Sequence, residues 1–258
     1  MTFSLRLSAD LLLALSSRAM DSRRGAPILV LSPDTDFQTV TASSSRVNHQ
    51  EGTECSDSDS LVSRNRSPIL WVSGPEPLDY PEVARFTNAL AASGRSVFLE
   101  TSGAALKRRI HEFKPSPRLH FTVRFDAFDP SLDPRDTHAG VFRTGIEALR
   151  MARLAGFFTC AHMVASSSAA AHQLENLHAE LTKLDVDGFL ITGTERSPEL
   201  EKTVSQLRRR LLSWRWSVLS RMVESVTLPA GARDSRQTDR KPIAESQAES
   251  FEEGAEAG

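Results

Sequence analysis

Cysteine is scarce in this chain: 258 residues carry two, Cys55 and Cys160, far apart in sequence. That argues against a disulfide framework, and two thiols cannot complete a four-thiolate metal site. Net charge is nearly absent. Thirty-one Lys and Arg stand against 33 Asp and Glu, a formal charge of -2, so no global field points to nucleic acid as a partner. No apolar run approaches the roughly 18 residues that span a bilayer. Walker-type and Rossmann glycine fingerprints are missing. The histidines show no metal-binding spacing on a helix, since His172 and His178 do not share a face well.

What is present is ordinary for one α/β domain: 40% hydrophobic and 25% charged residues, in a chain long enough for a sizeable core. The opening MTFSLRLSADLLLALSSRAM reads as an amphipathic helix from about Ala9 to Met20 with Ser8 as its cap. As a secretory signal it has a short apolar core preceded by Asp10 and no small-residue cleavage site, so the cytoplasm is the default location. Residues 1–25 form this N-terminal segment.

APILVLS, residues 26–32, is the first strand candidate. Residues 42–67, ASSSRVNHQEGTECSDSDSLVSRNRS, are polar and Ser-rich and read as a flexible loop. Strand–helix alternation then runs to residue 228. Strands are expected at 67–73, 95–103, around Leu119 to Phe125, at 157–165 and at 186–192. The helix after the second strand places Val83, Phe86 and Leu90 on one face. A short helix is expected at about 104–112, and a long final one after Ser197-Pro198-Glu199. From Pro229 the chain reads as a disordered, acidic tail. Repeated strand–helix units imply a parallel sheet covered by helices. An open doubly wound sheet and a partial barrel both satisfy the pattern, and both carry sites at the carboxyl ends of their strands.

Those ends offer Asp34 and Asp36, Glu76, Glu100, Asp126, His162 and Thr192. Converging acids there bind a metal ion or an amine, or share a proton; taken singly, each caps a helix or faces water. Glu76 stands apart because flanking prolines restrict its backbone. Cys160, in an apolar strand, reads as a buried structural residue. The final helix, 199–226, sets Arg208, Arg209, Arg210, Arg215 and Arg221 beside Leu211, Leu212, Trp214, Trp216 and Leu219. Such a helix either covers the barrel with its arginines in water or makes weak contact with an anionic membrane surface.

With these elements placed, the chain resembles the radical SAM superfamily, nearest its adenosyl-hopene-forming branch. The resemblance runs from about Ala26 to Glu224 and is closest from Ile69 to Met163. Gly74-Pro75-Glu76-Pro77 is similar to the family's Gly-Gly-Glu-Pro turn, which contacts the amino group of S-adenosylmethionine. VFLETSG, with Thr101 and Ser102, resembles the third strand and its Thr-Asn-Gly ending. Asp126 falls at the family's Asp-Gly, HAGVF at its Arg-Gly-Val-Phe-like segment, and LDVDGFLIT at the sixth strand. The resemblance implies an α/β fold built as a six-stranded, TIM-like partial (β/α) barrel, residues 26–228. It also implies S-adenosylmethionine and a [4Fe–4S] cluster on a C-x-x-x-C-x-x-C motif after the first strand. Alignment puts Phe37, Thr41 and Ser44 at those three positions. Phenylalanine has no donor, and neutral hydroxyls are poor ligands where thiolate is needed. Pro75 removes a backbone N–H from the cofactor turn.

Three functions follow as expectations. The first is a non-catalytic relative, without cluster or cofactor, that binds a protein partner or small ligand at the barrel mouth. Gly74, Pro75, Glu76, Pro77, Thr101, Ser102 and Asp126 are then its vestigial cofactor site. The second is an active radical SAM enzyme. The third is a non-radical activity using Glu76, Glu100, Asp126 and His162.

Overall fold

The computed structural model describes residues 4–20, 28–32, 67–127 and 137–228. Asp34, Asp36, Phe37, Thr41, Ser44, Cys55, the Ser-rich stretch at 42–66 and the C-terminal segment from 229 lie outside these residues. The described chain runs α1 (Leu5–Met20), β1 (Ile28–Leu31), β2 (Ile69–Val72), α2 (Val83–Ala92), β3 (Ser96–Thr101), α3 (Leu106–Arg109) and β4 (Leu119–Ala127). It continues through α4 (Thr137–Leu154), β5 (Phe158–Ala165), α5 (Ser168–Thr182), β6 (Gly188–Gly193), α6 (Pro198–Leu211) and α7 (Trp214–Thr227).

Strand order separates the two architectures that the alternation allowed. All six strands pair in parallel, in the order β1-β2-β3-β4-β5-β6. A doubly wound sheet reverses its order at a switch point. Here every crossover adds a strand to the same growing edge, so its right-handedness puts the crossover helices on one face. The sheet is therefore a partial barrel with a concave interior.

The register assigns the faces. Trp71, Phe98, His120 and Phe158 stand side by side on the concave face. Phe98 stacks on His120 at 4.6 Å and Trp71 on Phe98 at 5.7 Å. Alternate residues face the helices outside. Val123 and Phe125 meet α4 at Gly145, where a Cβ would lie 2.7 Å from the Phe125 ring. The amphipathic face read for α2 is buried as expected, with Val83, Phe86 and Leu90 inward.

Three helices differ from the sequence expectation. α1 starts at Leu5 rather than Ala9, because Ser4, not Ser8, accepts the capping bond from the Leu7 N–H at 3.1 Å. The extra turn adds Leu7 to a buried face with Leu11 and Ala14. Asp10, on that face, accepts from Ser96 Oγ at 2.6 Å and from Arg118 at 3.1 Å, which pins α1 to the amino-terminal ends of β3 and β4. The single long final helix is instead two, α6 and α7, separated by an extended Leu212. The expected short helix at 104–112 is likewise an α-turn followed by a 3₁₀ turn, Ile110–Glu112.

The break before α7 serves the sheet. β6 is an edge strand whose outward backbone groups need partners. Ser220 Oγ accepts from the Ile191 N–H at 3.2 Å, and Glu224 accepts from the Gly193 N–H at 2.8 Å. Arg208 Nε donates to the Ile191 carbonyl at 2.7 Å, and its guanidinium pairs with Glu224 at 2.7 Å. α7 packs against β1 as well as β6. Trp216 from α7 lies over the first residue of β6, where a Cβ on Gly188 would sit 2.0 Å from its ring. Arg208 is buried, so burial lowers its pKa while Glu224 opposes the shift.

Arg208→Met strands the half-buried Glu224 carboxylate and a buried strand carbonyl together. It is expected to cost about 3–5 kcal/mol in urea unfolding. Adding Glu224→Gln should recover part of that loss, because the two residues share one network.

Candidate functional site at the barrel mouth

The turn after β2 explains its own composition. Glu76 is extended (φ -155, ψ 96), as a residue before proline tends to be. Its carboxylate caps the 3₁₀ turn Pro77–Asp79 by accepting from the Leu78 N–H at 3.3 Å. The same two oxygens accept from Thr101 Oγ1 at 2.7 Å, Ser102 N–H at 3.0 Å and Ser102 Oγ at 2.5 Å. Glu76 therefore ties the end of β2 to the end of β3. The candidate residues Glu76, Thr101 and Ser102 thus meet, and they meet by bonding to one another.

Glu100, His162 and Thr192 also come together, deeper in the barrel than a rim position implies. All three are buried on the concave face. Glu100 Oε1 lies 2.6 Å from His162 Nδ1, and His162 Nε2 lies 2.8 Å from Thr192 Oγ1. Trp71 Nε1 donates to Glu100 Oε2 at 3.3 Å. Burial pushes the Glu100 carboxyl up. The His162 charge and hydrogen bond, the Arg124 charge and the Trp71 N–H outweigh it and hold that carboxyl below its ordinary value.

Asp126 sits at the rim, exposed, at 2.9 Å from Arg124 Nε and Nη2. Cys160 is fully buried in β5, where burial and then the charge of Asp187 push its thiol well up. His178, from the pair set aside in the sequence, packs against Phe189 with ring centroids 4.5 Å apart and the rings tilted.

A cavity of about 860 Å³ opens at this end of the strands. Gly74, Pro75, Thr101, Ser102 and Asp126 line it, together with Glu100 and Arg124. Phe125, Val141, Phe142 and Leu177 give it apolar walls, and Gln173, Asn176 and Glu180 add polar groups from α5. Sequence reading missed Trp71 and Arg124. The alternation in β2 and β4 carries the signal, because Trp71 shares the face of Phe98, and Arg124 that of Asp126.

The chain Glu100–His162–Thr192 has the connectivity of a carboxylate–imidazole–hydroxyl triad. Nucleophilic catalysis needs the hydroxyl to meet the substrate. Here the order is reversed: Glu100 lines the cavity and Thr192 does not. The arrangement presents a carboxylate, held ionised from behind, to a partly apolar space. Arg124 stands on the same wall. Such a wall suits a ligand with a cationic end and an apolar body.

No protein-family model matches the chain, and no curated protein matches it. Among solved structures, its fold is similar to that of Streptococcus suis SuiB at 11% identity and TM-score 0.47, over 74% of this chain and 48% of that one. SuiB bound to S-adenosylmethionine matches at 14% identity and TM-score 0.44, over 63% and 40%. SuiB bound to the precursor peptide SuiA matches at 14% and 0.48, over 81% and 51%. The chain thus spans about half the length of those proteins or less.

Acid should loosen this interior. His120 is buried against Phe98, its Nε2 has no partner among the described residues, and burial lowers its pKa to about 4. The unfolded chain binds that proton first, so stability falls as pH drops from about 6.5 towards 4, by about 3 kcal/mol for this group. The lowered Glu100 acts in the same direction. Its contribution is present above the ordinary carboxylate pKa and is lost as pH falls through its folded value. His120→Phe should flatten urea-unfolding stability between pH 6.5 and 4.5 and leave the acid limb below it.

Proposed function

We propose that the chain is a radical-SAM-like protein that has lost its [4Fe–4S] ligands. It works without catalysis, by binding at the barrel mouth a small ligand or a partner's inserted side chain. The observation that carries this reading is the cavity whose wall presents Glu100, backed by His162 and Trp71. The order of motifs along the strands supports the family: Gly74–Pro77 follows β2, Thr101 and Ser102 end β3, and Asp126 lies near the end of β4.

Donor chemistry supports the loss. Three thiolates hold such a cluster. The sequence has two cysteines, and Cys160 is buried with its thiol pushed well up. The residues present do not suit the cluster. For S-adenosylmethionine the fit is partial. Gly74, Pro75, Thr101, Ser102 and Asp126 line one cavity, but Glu76 and Pro77 do not, and Glu76 already accepts four hydrogen bonds from its own chain. Of the carboxylates that line the cavity, Asp126 pairs with Arg124 and Glu180 with Lys183, and Glu100, backed by His162, is the one assigned to a cationic ligand.

Two measurements test the two halves. Anaerobic reconstitution with iron and sulfide should leave no stoichiometric iron and no visible absorbance of thiolate-bound iron. A stable cluster would restore the active radical SAM enzyme as the reading. Thermal-shift screening of amine- and sulfonium-bearing metabolites, S-adenosylmethionine included, should find a ligand that binds Glu100→Gln at least about tenfold more weakly than wild type. Equal affinity for both proteins would move the ligand away from this wall.

A further inference from the structure

Apolar exposure is concentrated at a second place, away from the mouth. Among the described residues, the exposed large hydrophobics are Leu5, Leu12, Leu13, Val141, Leu154 and Trp214. Four of these six belong to α1 and α7, which pack on each other. Leu7, Asp10, Leu11 and Ala14 commit one side of α1 to the barrel. Leu5, Leu12 and Leu13 stand on the other side, 87%, 59% and 59% exposed. Trp214 opens α7 at 59% exposure, with the Arg215 guanidinium 5.9 Å from its ring centroid.

Positive charge gathers at the same place. A groove of about 520 Å³ between α6 and α7 is lined by Arg209, Trp214 and Arg221, with the Ser205 and Ser217 side chains beside them. Arg209 and Arg221 are exposed and make no ion pair among the described residues. Among the described residues no acid lines this groove; the adjoining one carries Glu195, Glu201 and Glu224, of which Glu224 is held by Arg208. Val218 and Arg221 also line that adjoining groove, which reaches Leu15 of α1, so the leucine-bearing helix and the arginine groove are continuous.

We propose that α1 and the start of α7 form a peripheral docking face for an anionic lipid bilayer. Separate leucines enter the acyl boundary, Trp214 sits at headgroup depth, and Arg209, Arg215 and Arg221 meet lipid phosphates. A fluid surface moulds itself around separate apolar side chains, whereas a protein partner would need a continuous complementary surface. No described helix is long and apolar enough to cross a membrane, which suits a face that lies on the bilayer. This inference is independent of the barrel-mouth reading and survives its failure.

The test is co-sedimentation of the full chain with vesicles of phosphatidylcholine alone and of phosphatidylcholine mixed with phosphatidylglycerol. Binding is expected to the mixed vesicles, weakened by salt, and to be at least about tenfold weaker to neutral ones. Leu12→Ser/Leu13→Ser and Arg209→Glu/Arg221→Glu should each reduce binding at least about tenfold, with melting temperatures unchanged because all four side chains are exposed. The proposal is overturned if wild type stays in the supernatant with both vesicles, or if either variant binds as wild type does. Loss in the arginine variant alone would mean an anion-binding groove without bilayer docking, and that also overturns it.

Discussion

An open edge governs this molecule. Six parallel strands in sequential order curl but leave β6 with outward backbone groups that water would otherwise have to satisfy. Ser220, Glu224 and Arg208 take on that work. Because two of them lie on α7, the helix must run along the strand, and the chain must break at Leu212 to bring it there. Trp216 then falls on β6, which makes a side chain at Gly188 impossible without movement. Closing the flank with a helix leaves access at the carboxyl ends of the strands, where the cavity lies.

Inside that closed flank, His120 Nε2 excepted, polar groups are best kept as a connected set. Trp71, Glu100, His162 and Thr192 come from four strands and satisfy one another across the concave face. Glu76, in the turn after β2, and Glu100, on β3, have opposite fates. The first spends its oxygens on Leu78, Thr101 and Ser102 and fixes the shape of the rim. The second is backed by an imidazole and an indole and keeps its charge facing the cavity. One carboxylate builds the wall and the other gives it its electrostatic character.

Strand positions were legible in the sequence because β3, β5 and β6 are buried on both faces and read as apolar runs, and because β4 alternates. Glu76 was legible too, since two prolines leave its backbone little choice. The pairing of Glu100 with His162 was not. The residues are 62 positions apart, and only strand order and register put them on one face. The division of the last helix was hidden for a related reason. Amphipathic spacing continues through Leu212, and what interrupts it is the demand of a distant strand edge. The early start of α1 depends on Ser4 reaching the Leu7 N–H, a choice between two serines that local pattern leaves even.

The rim has one further physical property. Its hydrogen bonds close within the chain: Thr101 and Ser102 to Glu76, Leu78 to Glu76, and Arg124 to Asp126. A turn whose carboxylate waited for a ligand would carry unspent acceptors and rely on that ligand to set its conformation. Here the shape is set beforehand, so a ligand entering the cavity meets a wall that needs little ordering and pays less entropy to bind. It also finds few free acceptors on the rim, and orientation falls to Glu100 and to the polar groups of α5. Recognition in such a space rests on charge at one end and apolar contact along the body, which favours a ligand whose own shape places a cation next to a hydrophobic surface.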